Sequence, residues 1–143
     1  MTPADLFFPA LAQIGLTIVL LVWMGRARLT ALRTQKVRIS QIALGQRAWP
    51  ERAQRISNAF HNQFEMPVLF YVALLFAIPL DVTSRFFLFL AWAFVVLRLL
   101  HLYFHVSGRH INARFLSFCA GAAVLAIMFA MLTVQAINGG AGS

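Results

Sequence analysis

The chain reads as four long apolar runs, at residues 6–24, 60–80, 86–104 and 115–137, parted by shorter polar stretches. None alternates with the period of two that a half-buried strand requires. At 1.5 Å rise per residue, each run just covers a hydrocarbon core about 30 Å thick. Inside lipid only a helix or a closed barrel satisfies every backbone N–H and C=O. The pattern therefore predicts an all-α integral membrane protein, an up-down-up-down bundle of four helices forming one domain over residues 1–143. Residues 25–57 form a long loop in which Pro50, Glu51 and Arg52 read as a helix start, with proline in the first turn and an acid behind it. That helix should run through Arg55 and Asn58 into the second apolar run. The end, from Asn138 onward, reads as a glycine-rich tail.

Composition agrees with a membrane protein. Only 11% of the residues are charged and mean hydropathy is +0.78, whereas soluble domains carry about 25% charged residues. The net charge of +8 then has a simple reading. Eight of the twelve Lys and Arg residues (Arg26, Arg28, Arg33, Lys36, Arg38, Arg47, Arg52 and Arg55) fall in or beside the first loop. Arg109 and Arg114 fall between runs three and four, and the turn between runs two and three holds one, Arg85. Four spans put both basic loops on one side, the cytoplasmic one, and both termini on the other. The basic loop lacks interleaved aromatics, so nucleic acid is not an expected partner, whereas anionic lipid headgroups are. Residues 1–8 lack the basic start of a cleavable signal, so the first span is expected to remain in the mature protein. The single cysteine, Cys119, lies in an apolar stretch and offers neither disulfide nor metal motif.

Polar side chains inside the runs carry the chemistry, because lipid makes them expensive, at roughly 2.5–3.5 kcal/mol for a central Arg or Asp. On a helix, Arg55, Asn58, Asn62 and Glu65 fall at steps of three and four and form one stripe, with His61 four residues before Glu65. Pro67 removes a helical hydrogen bond and frees a carbonyl one turn earlier. Arg98, His101 and His105 share a face of the third span, and Arg109 continues it into the loop. Glu65 and Arg98 lie at comparable depth and are expected to pair, directly or through a neighbouring subunit. The four-residue spacing of His101 and His105 would suit zinc, but no H-E-x-x-H pattern or nearby cysteine accompanies it, so no metal is expected. Together these groups predict a polar pocket between helices near the cytoplasmic surface. Its cations (Arg28, Arg55, Arg98, Arg109, Arg114), amides and carboxylate suit a small anion with a carboxylate and an amine, such as a peptide-like thiol, beside a lipophilic partner from the bilayer. Another small anion or a lipid headgroup fits the same residues.

The segment at residues 55–70, R-I-S-N-A-F-H-N-Q-F-E-M-P-V-L-F, resembles the second-helix signature of the MAPEG family, the membrane-associated proteins in eicosanoid and glutathione metabolism. Asn62 and Glu65 match its Asn-x-x-Glu core, and Arg98-x-x-His101 matches the polar third helix. The sequence looks closest to a bacterial branch, which implies a bacterial inner membrane. The resemblance further implies a left-handed four-helix bundle assembled as a homotrimer, with glutathione held between subunits near the cytosolic face. Arg28 would then touch glutathione, and Asn62 and Glu65 would hold its backbone and amine. Arg98 and His101 would line the same site, and Arg114 would stabilise the thiolate. The chain departs from the eicosanoid-synthesising enzymes at several points. Asn58 and His61 stand at two of their arginine positions, His105 at a tyrosine, and Phe115 at the serine after the helix-four arginine. His105 is the expected hydrogen-bond donor in the tyrosine's place. The expected function is a glutathione-dependent transferase or peroxidase acting on a small lipophilic electrophile; the alternative is a non-catalytic membrane protein that binds a lipid or a partner helix.

Overall fold

The computed structural model describes residues 2–34, 37, 49–82, 84–108 and 110–140. Five helices follow in order: α1 (Phe7–Arg33), α2 (Glu51–His61), α3 (Met66–Ala77), α4 (Arg85–Ser107) and α5 (Ile111–Gly140). Short 3-10 turns precede α1 (Pro3–Leu6) and join α2 to α3 (Asn62–Phe64). No strand occurs among the described residues. Three stretches, Ala4–Arg33, Arg85–Ser107 and Ile111–Gly139, are long and apolar enough to cross a membrane. The expected second span, residues 60–80, comprises the end of α2, the 3-10 turn, α3 and the turn after it, and is not among those three.

The helix at the end of the chain, α5, starts before residue 115 and continues through Asn138 to Gly140, so the tail expected from Asn138 is helical that far. Two further differences from the hydropathy pattern have a clear physical reason. The first helix continues past residue 24 to Arg33. Hydropathy falls there, but Arg, Ala and Leu dominate the sequence, and these are strong helix formers whatever the solvent. The second span is broken at Glu65, whose backbone leaves the helical region at φ −100°, ψ −102°. Pro67 is the second residue of α3 and has no N–H to donate to Gln63, so the ladder cannot run through. The Val68 N–H turns instead to the Glu65 carbonyl, at 3.2 Å. The helix start expected at Pro50 is where α2 begins, with Pro50 as its N-cap.

The turn between α3 and α4 closes tightly. The Val82 N–H reaches the Ala77 carbonyl at 3.0 Å and the Asp81 N–H reaches that of Ile78 at 3.1 Å. This is the paired closure of a Schellman cap, with Asp81 (φ 47°) in the left-handed position where glycine is usual. Helices α4 and α5 pack along much of their length, and α3 lies against both through a dense core. Phe70 of α3 stacks on Phe94 of α4, ring centres 4.5 Å apart, and both are fully buried beside Met128 of α5.

The exterior is apolar and part of the interior is polar. Phe8, Val19, Leu75, Phe89, Leu116 and Ile137 are all exposed, whereas Gln13, Gln63, Arg98 and His101 are buried. This distribution inverts that of a soluble protein and suits a chain surrounded by lipid.

Candidate functional site

The break in the second helix and the start of α5 face each other across α4. In a continuous helix the Met66 N–H would occupy the Asn62 carbonyl. The break frees that oxygen, and the Arg98 Nη2 donates to it at 2.9 Å. The freed carbonyl expected from Pro67 is thus present, and its partner is Arg98. Glu65 is exposed and makes no ion pair with Arg98 within the protomer, so the expected direct pair is absent there. The one ion pair among the described residues joins Arg55 to Glu51.

A second set of hydrogen bonds ties three helices through one imidazole. His101 Nδ1 lies 3.1 Å from the Arg114 carbonyl and Nε2 lies 2.9 Å from Asn62 Nδ2. A carbonyl only accepts, so Nδ1 carries the proton and donates to Arg114. A neutral ring then accepts at Nε2 from the Asn62 amide. This orientation leaves Asn62 Oδ1 buried and without a protein partner. Ser117 Oγ also donates to the Arg114 carbonyl, at 2.9 Å.

These contacts form part of the wall of an open cavity of about 790 Å³. Its lining combines Asn58, His61, Asn62 and Glu65 from the second span, His101 and His105 from α4, and Ile111, Asn112, Arg114, Phe115 and Phe118 from α5. The cavity is polar toward the second span, while α5 adds Asn112 and Arg114 beside the apolar Ile111, Phe115 and Phe118. Among the described residues the Arg114 guanidinium has no hydrogen-bond or ion-pair partner, and α5 has no acid in its first turn. The start of α5 is therefore electropositive, from side chain and helix dipole together. His61 donates through Nδ1 to the Ser57 carbonyl at 2.7 Å, which leaves Nε2 available.

Seven of the residues singled out from sequence thus meet at one cavity: Asn58, His61, Asn62, Glu65, His101, His105 and Arg114. Three others sit elsewhere in the protomer. Arg98 is 2% exposed and supports the wall through Asn62, with Nε and Nη1 unpartnered among the described residues. Arg28 donates to Ser57 Oγ at 2.7 Å and lies 5.1 Å from the centre of the Trp49 ring, tying α1 to α2. Arg55 pairs with Glu51 and donates to the Ser107 carbonyl at 3.1 Å. Arg109 lies outside the described residues. The Arg55 contact brings the end of α4 beside α2, so Arg28, Arg52, Arg55 and Arg114 lie toward one end of the bundle.

Sequence reasoning passed over Ser57, Asn112 and Ser117, and a buried pair. Gln13 of α1 donates to Gln63 Oε1 at 2.8 Å, and both amides are buried. Gln13 was the readable signal, as the one amide in the first apolar run. Among the described residues no three His, Cys, Asp or Glu side chains gather to hold a metal ion.

The orphaned atoms test which ligand suits the cavity wall. Asn62 and Glu65 line that wall with an amide and a carboxylate, and Asn62 Oδ1 is an acceptor without a protein partner, whereas the free Arg98 donors lie behind the wall. Glutathione carries the complement, an amine and amides to donate. Comparison with curated proteins and with solved structures gives no match. The family model for MAPEG matches residues 6–134, a stretch that takes in α1 to α4 whole and most of α5. With the break, the polar wall and that match in hand, the chain belongs to the MAPEG family.

Proposed function

We propose that the protein binds glutathione in the cavity between the second span and α5, and directs its sulfur at a lipophilic electrophile arriving from the bilayer. The observation that carries this reading is the meeting of Asn62, Glu65, His105 and the unpaired Arg114 at one cavity that also presents Ile111, Phe115 and Phe118. Glutathione supplies the nucleophilic sulfur. The Arg114 cation, at the electropositive start of α5, lowers the pKa of a thiol placed beside it. Glu65 holds an amine, the Asn62 side chain lines the cavity beside it, and Arg98 fixes the turn from which Asn62 projects. His105 is placed to donate a hydrogen bond to the electrophile where relatives carry tyrosine. Phe115 and Phe118 offer that substrate an apolar surface.

The reading extends to assembly and placement. We place the protein in a bacterial inner membrane as a homotrimer, with its basic end in the cytoplasm and Arg28 reaching the ligand of a neighbouring subunit. The MAPEG match and the membrane-length helices support association with lipid, and the basic residues gathered at one end support the orientation.

Isothermal titration of glutathione into the purified protein tests the binding step. Binding should be measurable, and Glu65→Gln should weaken it roughly tenfold or more, as loss of a charge-assisted hydrogen bond does. A thiolate absorbance should appear on mixing and disappear in Arg114→Ala. A folded preparation that binds no glutathione would sink the proposal and favour the non-catalytic alternative, a membrane protein that holds a lipid or a partner helix.

A further inference from the structure

A second groove, of about 620 Å³, lies between α1 and the start of α2, away from the cavity just described. Its α1 wall is a single helical stripe, Val19, Val22, Trp23, Arg26 and Thr30, at steps of three and four. Arg52, at the start of α2, faces that stripe across the groove. The chemistry is graded along the axis. Val19 and Val22 are more than half exposed, Trp23 follows, and the guanidinium of Arg26 comes next. From Val19 to Arg26 the rise is about 10 Å.

The two arginines differ from their neighbours. Arg28 is held by Ser57 and Trp49, and Arg55 by Glu51 and Ser107. Arg26 and Arg52 have no side-chain partner among the described residues, and both are exposed. Two unpaired cations above an indole and an apolar floor match one kind of molecule. Indoles settle at the carbonyl and headgroup level of a bilayer, valines in its hydrocarbon, and paired arginines attract a phosphate.

We propose that this groove binds an anionic glycerophospholipid. Its phosphate lies between Arg26 and Arg52, its ester region beside Trp23, and an acyl chain along Val22 and Val19. A docked apolar helix would satisfy the valines and leave two cations unpaired. A free anion would leave the valines and the indole uncovered. The site is independent of glutathione.

Trp23 supplies the reporter. In the full chain carrying Trp49→Phe and Trp92→Phe, Trp23 is the remaining tryptophan. The protein is reconstituted in phosphatidylcholine vesicles with a minor fraction of phosphatidylglycerol, either lipid brominated near the head of its acyl chains. Brominated phosphatidylglycerol should quench Trp23 well beyond its mole fraction, and brominated phosphatidylcholine should not. Arg26→Gln and Arg52→Gln should each lower the preference about fivefold. Arg26→Lys should retain most of it. Arg33→Gln, exposed at the same end of α1 and outside the groove, should leave it intact. Equal quenching by both lipids overturns the proposal. So does an equal loss in Arg33→Gln, which marks diffuse surface attraction. Absence of quenching by either lipid also overturns it, because protein then covers the groove. Circular dichroism of each variant confirms that the helices are intact.

Discussion

Arg98 shows how a residue's place is set by energies that oppose each other. A guanidinium buried at 2% exposure with one hydrogen bond is costly, and its bond to the Asn62 carbonyl returns only part of that. Arg98→Met keeps the volume and removes the charge. It forfeits about 1–3 kcal/mol at the orphaned carbonyl and recovers a penalty of roughly 2.5–3.5 kcal/mol. Thermal unfolding in detergent should therefore stay within about 1 kcal/mol of the parent or rise, while glutathione binding falls sharply. A large loss of stability with unchanged binding would assign Arg98 to the fold alone. The buried amides behave differently, because Gln13 Nε2 supplies the donor that Gln63 Oε1 accepts from. Gln13→Leu should cost about 1–3 kcal/mol by stranding Gln63. Adding Gln63→Leu should bring stability back toward the parent, since interhelical hydrogen bonds in membranes average about 0.6 kcal/mol. A double-mutant cycle measures that coupling. A double variant as unstable as the sum of the singles would show that the pair is not coupled.

At the scale of the element, backbone conformations at the helix ends decide what is tolerated. Gly108 ends α4 at φ 66°, and an added Cβ there would collide with the Arg55 guanidinium. Gly108→Ala should cost about 1–2 kcal/mol from the left-handed backbone alone, with further loss as Arg55 is displaced. Asp81 occupies the same kind of backbone without the aid of glycine. Asp81→Gly should stabilise by up to about 1 kcal/mol, seen as a higher midpoint in thermal unfolding. The elements themselves were largely legible in the sequence. Three of the four apolar runs became helices long enough to cross a membrane, and the Asn62, Glu65 and Pro67 grouping marked where the second would be interrupted. The extension of α1 to Arg33 was hidden because hydropathy and helix propensity part company there. Within the protomer, the partner of Arg98 differs from the expected Glu65 for a related reason. Charge alone pointed to Glu65, whereas the ladder break offered a nearer acceptor on the backbone. Side-chain groupings along a helix could be read from spacing. Contacts between helices, such as His101 with Asn62 and Arg114, depend on rotation and register that periodicity does not contain.

The molecule as a whole has two ends of different chemistry. One carries Arg28, Arg55 and Arg114, the cavity and the arginine groove; the other carries the α3–α4 turn. The proposed topology, argued from the positive-inside rule, has the first in the cytoplasm. With Cys119→Ser as background, a membrane-impermeant maleimide applied to intact cells should label Ser84→Cys and spare Asn112→Cys until lysis. The reverse pattern would invert the proposed topology. The α3–α4 turn bears also on biogenesis. Arg98 leaves water in a segment that contains no acceptor of its own for it; the oxygen it needs arrives on the preceding segment, at Asn62. Threaded singly into the bilayer, the stretch from Arg85 to Ser107 would carry a naked cation through hydrocarbon. Entering with its predecessor as a helical hairpin, already folded back at the Schellman turn, it brings the counterpart along. Membrane insertion of this chain should thus proceed by pairs of segments rather than one at a time.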